Sequence, residues 1–241
     1  MIEYYCYLTL KSNKMTTKNK YRIYHNAILW LLLISVFGCE KEKTPVYSGQ
    51  MVTDIEGNVY NTVKIGDQLW MAEDLKVSKY NDGTTIPNIT DKTAWQNSST
   101  GACTWYNNEK SWGTLYNFYA VNTRKLAPAG WHVATHVDWT ALTDYLGGED
   151  VAGGKLKETG SVRWDSPNTG ATNESSFTAL PGGFRLGDGT FSSFGGGGYW
   201  WSSTEFDSWN SWTHYIYWSG SIIYRGHYDK REGHSVRCIK D

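Results

Sequence analysis

Ser211-Trp-Thr-His-Tyr-Ile-Tyr-Trp218 sets Trp212, His214, Ile216 and Trp218 against Ser211, Thr213, Tyr215 and Tyr217 in strict alternation. A period of two places the first set on one face of a β-strand and the second on the other. Ser219-Gly220 predicts a tight reversal into Ser221-Ile-Ile-Tyr-Arg225, and so a hairpin. Upstream, four glycines, Gly195 to Gly198, form a flexible turn before Tyr199-Trp-Trp-Ser-Ser-Thr204. Downstream, His234-Ser-Val-Arg-Cys-Ile-Lys240 reads as a closing strand. This half of the chain is therefore β-structure joined by long loops.

The preceding half mixes strands with helices. Met51-Val-Thr-Asp54 and Val59-Tyr-Asn-Thr-Val-Lys-Ile65 flank the turn residues Glu56-Gly57-Asn58, a second hairpin, and Leu69-Trp70-Met71 suits a third short strand. Residues Tyr80 to Thr100 are rich in Asn, Asp, Thr, Ser and Gly and read as loop. Leu115, Phe118, Tyr119 and Asn122 recur at helical spacing, which predicts a helix over Thr114 to Asn122. Thr135-His-Val-Asp138 fits a capping box, Trp139, Leu142 and Leu146 form a buried stripe, and Gly147-Gly148 stops that helix. The expected class is α+β, with two helices packed on a twisted antiparallel sheet and long loops.

An apolar run from Ala27 to Phe37 follows Lys18, Lys20 and Arg22 and ends at Gly38-Cys39, before Glu40-Lys-Glu-Lys43. Charged start, apolar centre and small residue at the cut make a secretory signal. Cysteine just after the cut is the bacterial lipoprotein pattern, with Cys39 as the lipidated residue. The run is eleven residues long, short of the ~20 a membrane span needs; a buried helix or a plain signal anchor is the alternative. Met15 makes a better signal start than Met1, so residues 1–14 read as an upstream extension. The organisation expected is residues 1–38 as extension and signal, 39–50 as a lipidated tether, and 51–241 as one domain.

Without residues 1–38 the chain keeps 18 Lys and Arg against 23 Asp and Glu, a net charge of about −5. Nucleic acid, which needs a basic stripe, is a poor partner for it. Membrane attachment would come through the acyl chains on Cys39. Two cysteines remain in the domain, Cys103 and Cys238; outside the cytoplasm they can form a disulfide, or stay as two buried free thiols.

Several motifs together resemble a known family. They are Thr53-Asp-Ile-Glu-Gly-Asn-Val-Tyr60, Trp70-Met-Ala-Glu-Asp-Leu-Lys76, Tyr116-Asn-Phe-Tyr-Ala120, Pro128-Ala-Gly-Trp-His-Val133, Leu180-Pro-Gly-Gly-Phe-Arg185, Tyr199-Trp-Trp-Ser-Ser-Thr204 and Ser235-Val-Arg-Cys238. In this order they are similar to the Fibrobacter succinogenes major paralogous domain, common in surface and secreted lipoproteins of Bacteroidetes-like bacteria. The resemblance spans residues 51–241. It implies a cellular setting, the bacterial outer membrane with exposure at the cell surface, rather than a reaction. Ala127 stands where that family often has Cys, which leaves any family disulfide at this position in doubt. Glu40-Lys-Glu-Lys43 resembles the acidic export signals of such lipoproteins. The order of elements is also similar to the C-type lectin-like fold, an analogy that does not carry function.

Motifs for chemistry are sparse. His132 and His136 are four residues apart, but the helix starts at Thr135, so both need not share a face, and no third ligand is spaced to complete a metal site. Gly154 stands where a phosphate loop requires Lys, and no Gly-x-Ser-x-Gly elbow occurs. Glu205 and Asp207 lie in an aromatic loop as a glycosidase pair would, although such carboxyls equally solubilise loops. Sugar-binding calcium triplets are incomplete at Trp209-Asn210-Ser211. No metal or cofactor is expected.

The remaining signal is aromatic: Tyr and Trp are interleaved with Ser, Asn, Asp and His across residues 199–228. Such a mixture builds recognition surfaces, and it equally builds β-sheet cores. Trp200 or Trp201, Trp212, Ile216 and Trp218 are expected inside; Trp209, Tyr215, Tyr217 and Tyr228 are the candidate ligand-binding residues. The reading is a lipid-anchored, non-catalytic binding or adhesion module for glycan or protein. A glycan-active enzyme and a structural part of a secreted assembly are the alternatives.

Overall fold

The first element of the described residues is the expected hairpin, β1 (Met51–Thr53) and β2 (Val59–Ile65), paired with Thr53 opposite Val59. Asp54 builds its turn: one carboxylate oxygen accepts from the backbone N–H groups of Glu56 and Asn58, and the other from the Tyr60 hydroxyl at 2.6 Å. The third strand, β3 (Gln68–Met71), pairs with β2. These coordinates come from a computed structural model in which residues 47–241 are described. Cys39, the apolar leader and the tether up to residue 46 lie outside the described residues. The described end of the tether is already fastened, since Ser48 N–H donates to Thr62 O at 2.7 Å.

The loop read over Tyr80 to Thr100 contains one short helix, α1 (Lys92–Gln96), which Asp91 caps by accepting from Ala94 N–H at 2.8 Å. The stretch predicted as a single helix over Thr114 to Asn122 divides. After β4 (Cys103–Thr104) comes β5 (Leu115–Asn117), and only then α2 (Phe118–Asn122). Tertiary pairing overrides the helical spacing here: Tyr116 is fully buried in a sheet, opposite Cys103 on one side and His234 on the other. Asn117 marks the switch, its side-chain oxygen accepting from Ala102 N–H and from Ala120 N–H, the latter the helix cap.

Strand β6 (Trp131–Val133) leads to α3 (His136–Tyr145), where the capping box is formed as expected between Thr135 and Asp138. Gly147 and Gly148, both at positive φ, end that turn. A further helix follows, α4 (Glu149–Leu156), across a stretch whose Gly153-Gly154 pair lowers helix propensity. Packing demands those glycines: a Cβ at Gly153 would lie 2.6 Å from Ile222 O, and one at Gly154 2.3 Å from Gly170 O.

The remainder is strand and loop. β7 (Phe184–Arg185) and β8 (Phe191–Ser192) pair with each other, and β9 (Gly197–Glu205), β10 (Asn210–Tyr217) and β11 (Ile223–Asp229) form a three-stranded sheet. The turn at 218–222 is wider than the two-residue reversal expected. Lys157 accounts for this, since its buried ammonium donates to Tyr217 O, Gly220 O and, at 2.8 Å, Thr169 O.

The predicted closing strand is two strands, β12 (Gly233–His234) and β13 (Cys238–Lys240). β12 sits between β5 and β7; Ser235 then bridges to Trp200 of β9; β13 lies between β3 and β6. One continuous strap thus runs through all three sheets.

Trp200 and Trp201 are both fully buried and point to opposite faces, as a strand requires. Trp200 joins the core with Trp70, Trp139, Leu142, Leu156, Ile216 and Ile223. Trp201 joins the second core, stacked 4.1 Å from His234, with its indole N–H donating to Tyr116 O. Arg237 lies between the layers with its Nε on Asp74, its Nη1 on Met71 O and Phe177 O, and its guanidinium 4.0 Å above the Phe177 ring. The fold is therefore mixed α/β, mostly antiparallel strands, with four short α-helices among the described residues.

Candidate binding surface

Pairing in the three-stranded sheet decides which aromatics share a face. Trp200, His214, Ile216 and Ile223 turn towards α3 and α4. On the opposite face Tyr199, Tyr215 and Tyr224 stand directly across from one another on three adjacent strands. Their rings form a stacked row, with centroids 5.4 Å apart for Tyr199 and Tyr215 and 5.3 Å for Tyr215 and Tyr224. Tyr217 and Tyr228 meet Tyr215 edge-on at 5.6 and 5.8 Å. Stacked and edge-on pairs of this kind each add about 0.5–1.5 kcal/mol beyond area burial, so the row is held as a unit.

Two glycines make room for it. A Cβ at Gly197 would lie 2.9 Å from the Tyr199 ring, and one at Gly226 3.1 Å from the Tyr228 ring. The rings lie over bare backbone, an arrangement that pins the register of edge glycines. Burial first, helped by neighbouring phenols, pushes the Tyr199 and Tyr228 hydroxyls above the usual phenol range. Both stay protonated and able to donate, and Tyr199 does so to the Tyr217 hydroxyl at 3.1 Å.

Three of the four candidate residues, Tyr215, Tyr217 and Tyr228, are brought together on this face and are half-buried. Trp209 is not with them. It is 77 % exposed on the β9–β10 turn, whose backbone Asp207 organises by accepting from Trp209 N–H and Asn210 N–H at 2.7 Å. Tyr199 and Tyr224 complete the row, Tyr224 exposed and Tyr199 buried against Phe184 and His234. Composition alone did not single them out, but the hairpin register around Tyr215 would have.

On the other face the expected packing shifts. Trp212 and Trp218 are only half-buried, and His214 takes the inward place between them. Its ring stacks 5.0 Å from Trp139, and its Nε2 lies 3.2 Å from His136 Nδ1. Burial above all, then the neighbouring His136 and Arg225, pulls the His214 pKa down to about 3. His136 continues the ladder, stacked on Trp212 at 4.3 Å. His132 faces elsewhere, bridging Asp138 at 3.1 Å and Asp241 at 2.7 Å. The two histidines do not converge.

The carboxylates Glu205 and Asp207 do not act as a free pair. Glu205 is ion-paired with Lys230 at 2.9 Å, and hydrogen bonds from Asn210 and Trp209 hold the Asp207 carboxyl below the usual range. A proton-donating acid would need the opposite shift. Cys103 and Cys238 are buried free thiols, and burial raises the Cys103 pKa to about 12 and Cys238 further. Thiols so placed are inert.

A family model described as the Fibrobacter succinogenes major domain matches residues 63–240. The chain belongs to this family. No curated protein and no solved structure matched it. The motifs that carry membership in the Fibrobacter succinogenes major domain family fall on the framework. Trp70, Asp74, Asn117, Arg185, Trp200, Trp201 and Arg237 are all buried. Arg185 shows how: its guanidinium lies between Trp95 and Phe191, and its donors reach the carbonyls of Ile89, Thr90 and Gly189. The tyrosine row, Tyr199 apart, lies outside these motifs.

Proposed function

We propose that this protein is a lipid-anchored module of the bacterial outer membrane that binds glycan or protein without catalysis, through the tyrosine face of its β9–β11 sheet. The observation that carries this reading is the open side of the tyrosine row, where Tyr224 is exposed and Tyr215, Tyr217 and Tyr228 are half-buried, the stack resting on the buried Tyr199. Rigid aromatic rings give contact area at low entropic cost, and their hydroxyls supply hydrogen bonds at the rim. The C-type lectin-like arrangement belongs to the same proposal. Its support is two helices, α3 and α4, packed beside antiparallel strands, with the last strand paired to one near the start of the domain.

Anchoring rests on the leader and Gly38-Cys39 pattern. Glycan hydrolysis is the weaker reading, because Glu205 is tied to Lys230 and Asp207 to its own turn. Screening the full chain, kept soluble with detergent, on an array of glycans and surface proteins tests the binding role. Tyr217→Ala and Tyr224→Ala are expected to lose the captured ligand while keeping the thermal midpoint within a few degrees. Undiminished capture by both variants would remove the tyrosine face from the function. Labelled palmitate should enter the wild-type chain and not Cys39→Ser.

A further inference from the structure

At the far end of β9 from the tyrosine row, Ser203, Thr204 and Glu205 border a cleft of about 550 Å³ between α2 and β6. That volume suits a small ligand. Trp131 and Val133 supply apolar wall, and Asn122, Arg124 and Glu205 reach in from the rim. Most polar groups here are committed. Glu205 is neutralised by Lys230, His132 is held between Asp138 and Asp241, and Ser203 Oγ donates to Val133 O.

Arg124 is the exception. It is exposed, its guanidinium makes no hydrogen bond or ion pair among the described residues, and it lines the cleft together with Trp131. Its backbone is unusual as well, with φ of 59° just past the end of α2. Gly or Asn normally fills that left-handed position. Of the eight non-glycine residues at positive φ among the described residues, Arg124 alone is charged and long; the others are Asn, Ser and Thr.

We propose that this cleft is a binding subsite for a carboxylate-bearing sugar, such as a uronic acid unit of an acidic glycan. The sugar ring lies on Trp131, its carboxylate pairs with Arg124, and its hydroxyls meet the amide oxygen of Asn122, whose Nδ2 donates to Glu205 Oε1 at 3.4 Å, and the open oxygen of Glu205. Guanidinium matches carboxylate in a two-pronged pairing, and an aromatic face takes the apolar side of a pyranose. The subsite shares no residue with the tyrosine face and stands or falls separately from it.

Calorimetric titration of the full chain in detergent tests it, with galacturonate oligomers, galactose oligomers of equal length and an oligoglutamate peptide as probes. The expected result is saturable binding of the galacturonate, at least tenfold tighter than either of the others, and weakened by added salt. Arg124→Asn should lower that affinity at least tenfold while leaving the thermal midpoint unchanged or raised, since Asn suits the left-handed backbone. Tyr217→Ala should leave it unchanged, which separates this site from the sheet face. Absent galacturonate binding, equal affinity for galactose or oligoglutamate, or an Arg124→Asn variant that binds as well as wild type would each overturn the assignment.

Discussion

Asp74 and Arg237, 163 residues apart in the chain, form a buried ion pair, and Trp200 donates its indole N–H to the same carboxylate oxygen at 2.8 Å. Three sheets meet at this point, because Asp74 follows β3, Trp200 lies in β9 and Arg237 belongs to the closing strap. Removing one member leaves the other buried and uncompensated. Asp74→Ala is therefore expected to cost about 3–5 kcal/mol of unfolding free energy, with Asp74→Leu/Arg237→Met recovering part of it. Urea denaturation of the three chains checks this; a loss under 1 kcal/mol for the single variant would contradict it.

Acid should destabilise the domain through His214. Its folded pKa of about 3 lies below the ordinary value near 6.5, so the unfolded chain binds the proton first. Stability then falls as pH drops from about 6.5 towards 3. His136 and His234, also lowered chiefly by burial, add to the same slope. Thermal midpoints between pH 7 and 4 should decline less steeply in His214→Asn than in wild type. Parallel curves would refute the assignment.

Lys157 holds three backbone carbonyls that lack a side-chain alternative. Lys157→Met is expected to cost about 1–3 kcal/mol, the penalty for stranding buried acceptors. The effect should extend to ligand capture, because Tyr217 is one of the residues tethered. Burial lowers this amine to about 8, below its unfolded value. The native state thus releases its proton first, and the wild-type chain should gain stability over Lys157→Met as pH rises from 8 to 10. Chemical denaturation at pH 7, 8.5 and 10 measures both effects.

Gly153→Ala offers a case where local propensity and packing disagree in sign. Alanine favours a helix over glycine by about 1 kcal/mol. The new Cβ would nonetheless press on Ile222 O at 2.6 Å and Ser221 O at 2.7 Å. Overpacking against backbone costs about 1–3 kcal/mol, so a net loss is expected. A variant more stable than wild type would show that the α4–β11 approach can relax.

Periodicity and turn chemistry made much of this architecture legible. The Ser211–Tyr217 alternation, the Thr135–Asp138 box and the Asp54 turn are each dictated by neighbours in sequence, and each is present. What escaped was set from a distance. Leu115–Asn117 became a strand because β4 and β12 claim it, and the helix Glu149–Leu156 was hidden by Gly153 and Gly154, which stand there because Ile222 and Gly170 leave no room for a side chain. The surface residues divide the same way. Tyr215, Tyr217 and Tyr228 share a face by simple alternation and register, whereas Trp209 fell on a turn and Arg124 signals itself only through a backbone angle. The family motifs misled in one respect only: the residues most easily recognised lie inside.

The strap at 233–240 fills a central slot in two sheets and bridges the third. Removing it leaves a gap within both five-stranded sheets and strips the three-stranded sheet of its Ser235 bridge. Loss of these residues is therefore expected to unpick the whole domain rather than trim an edge.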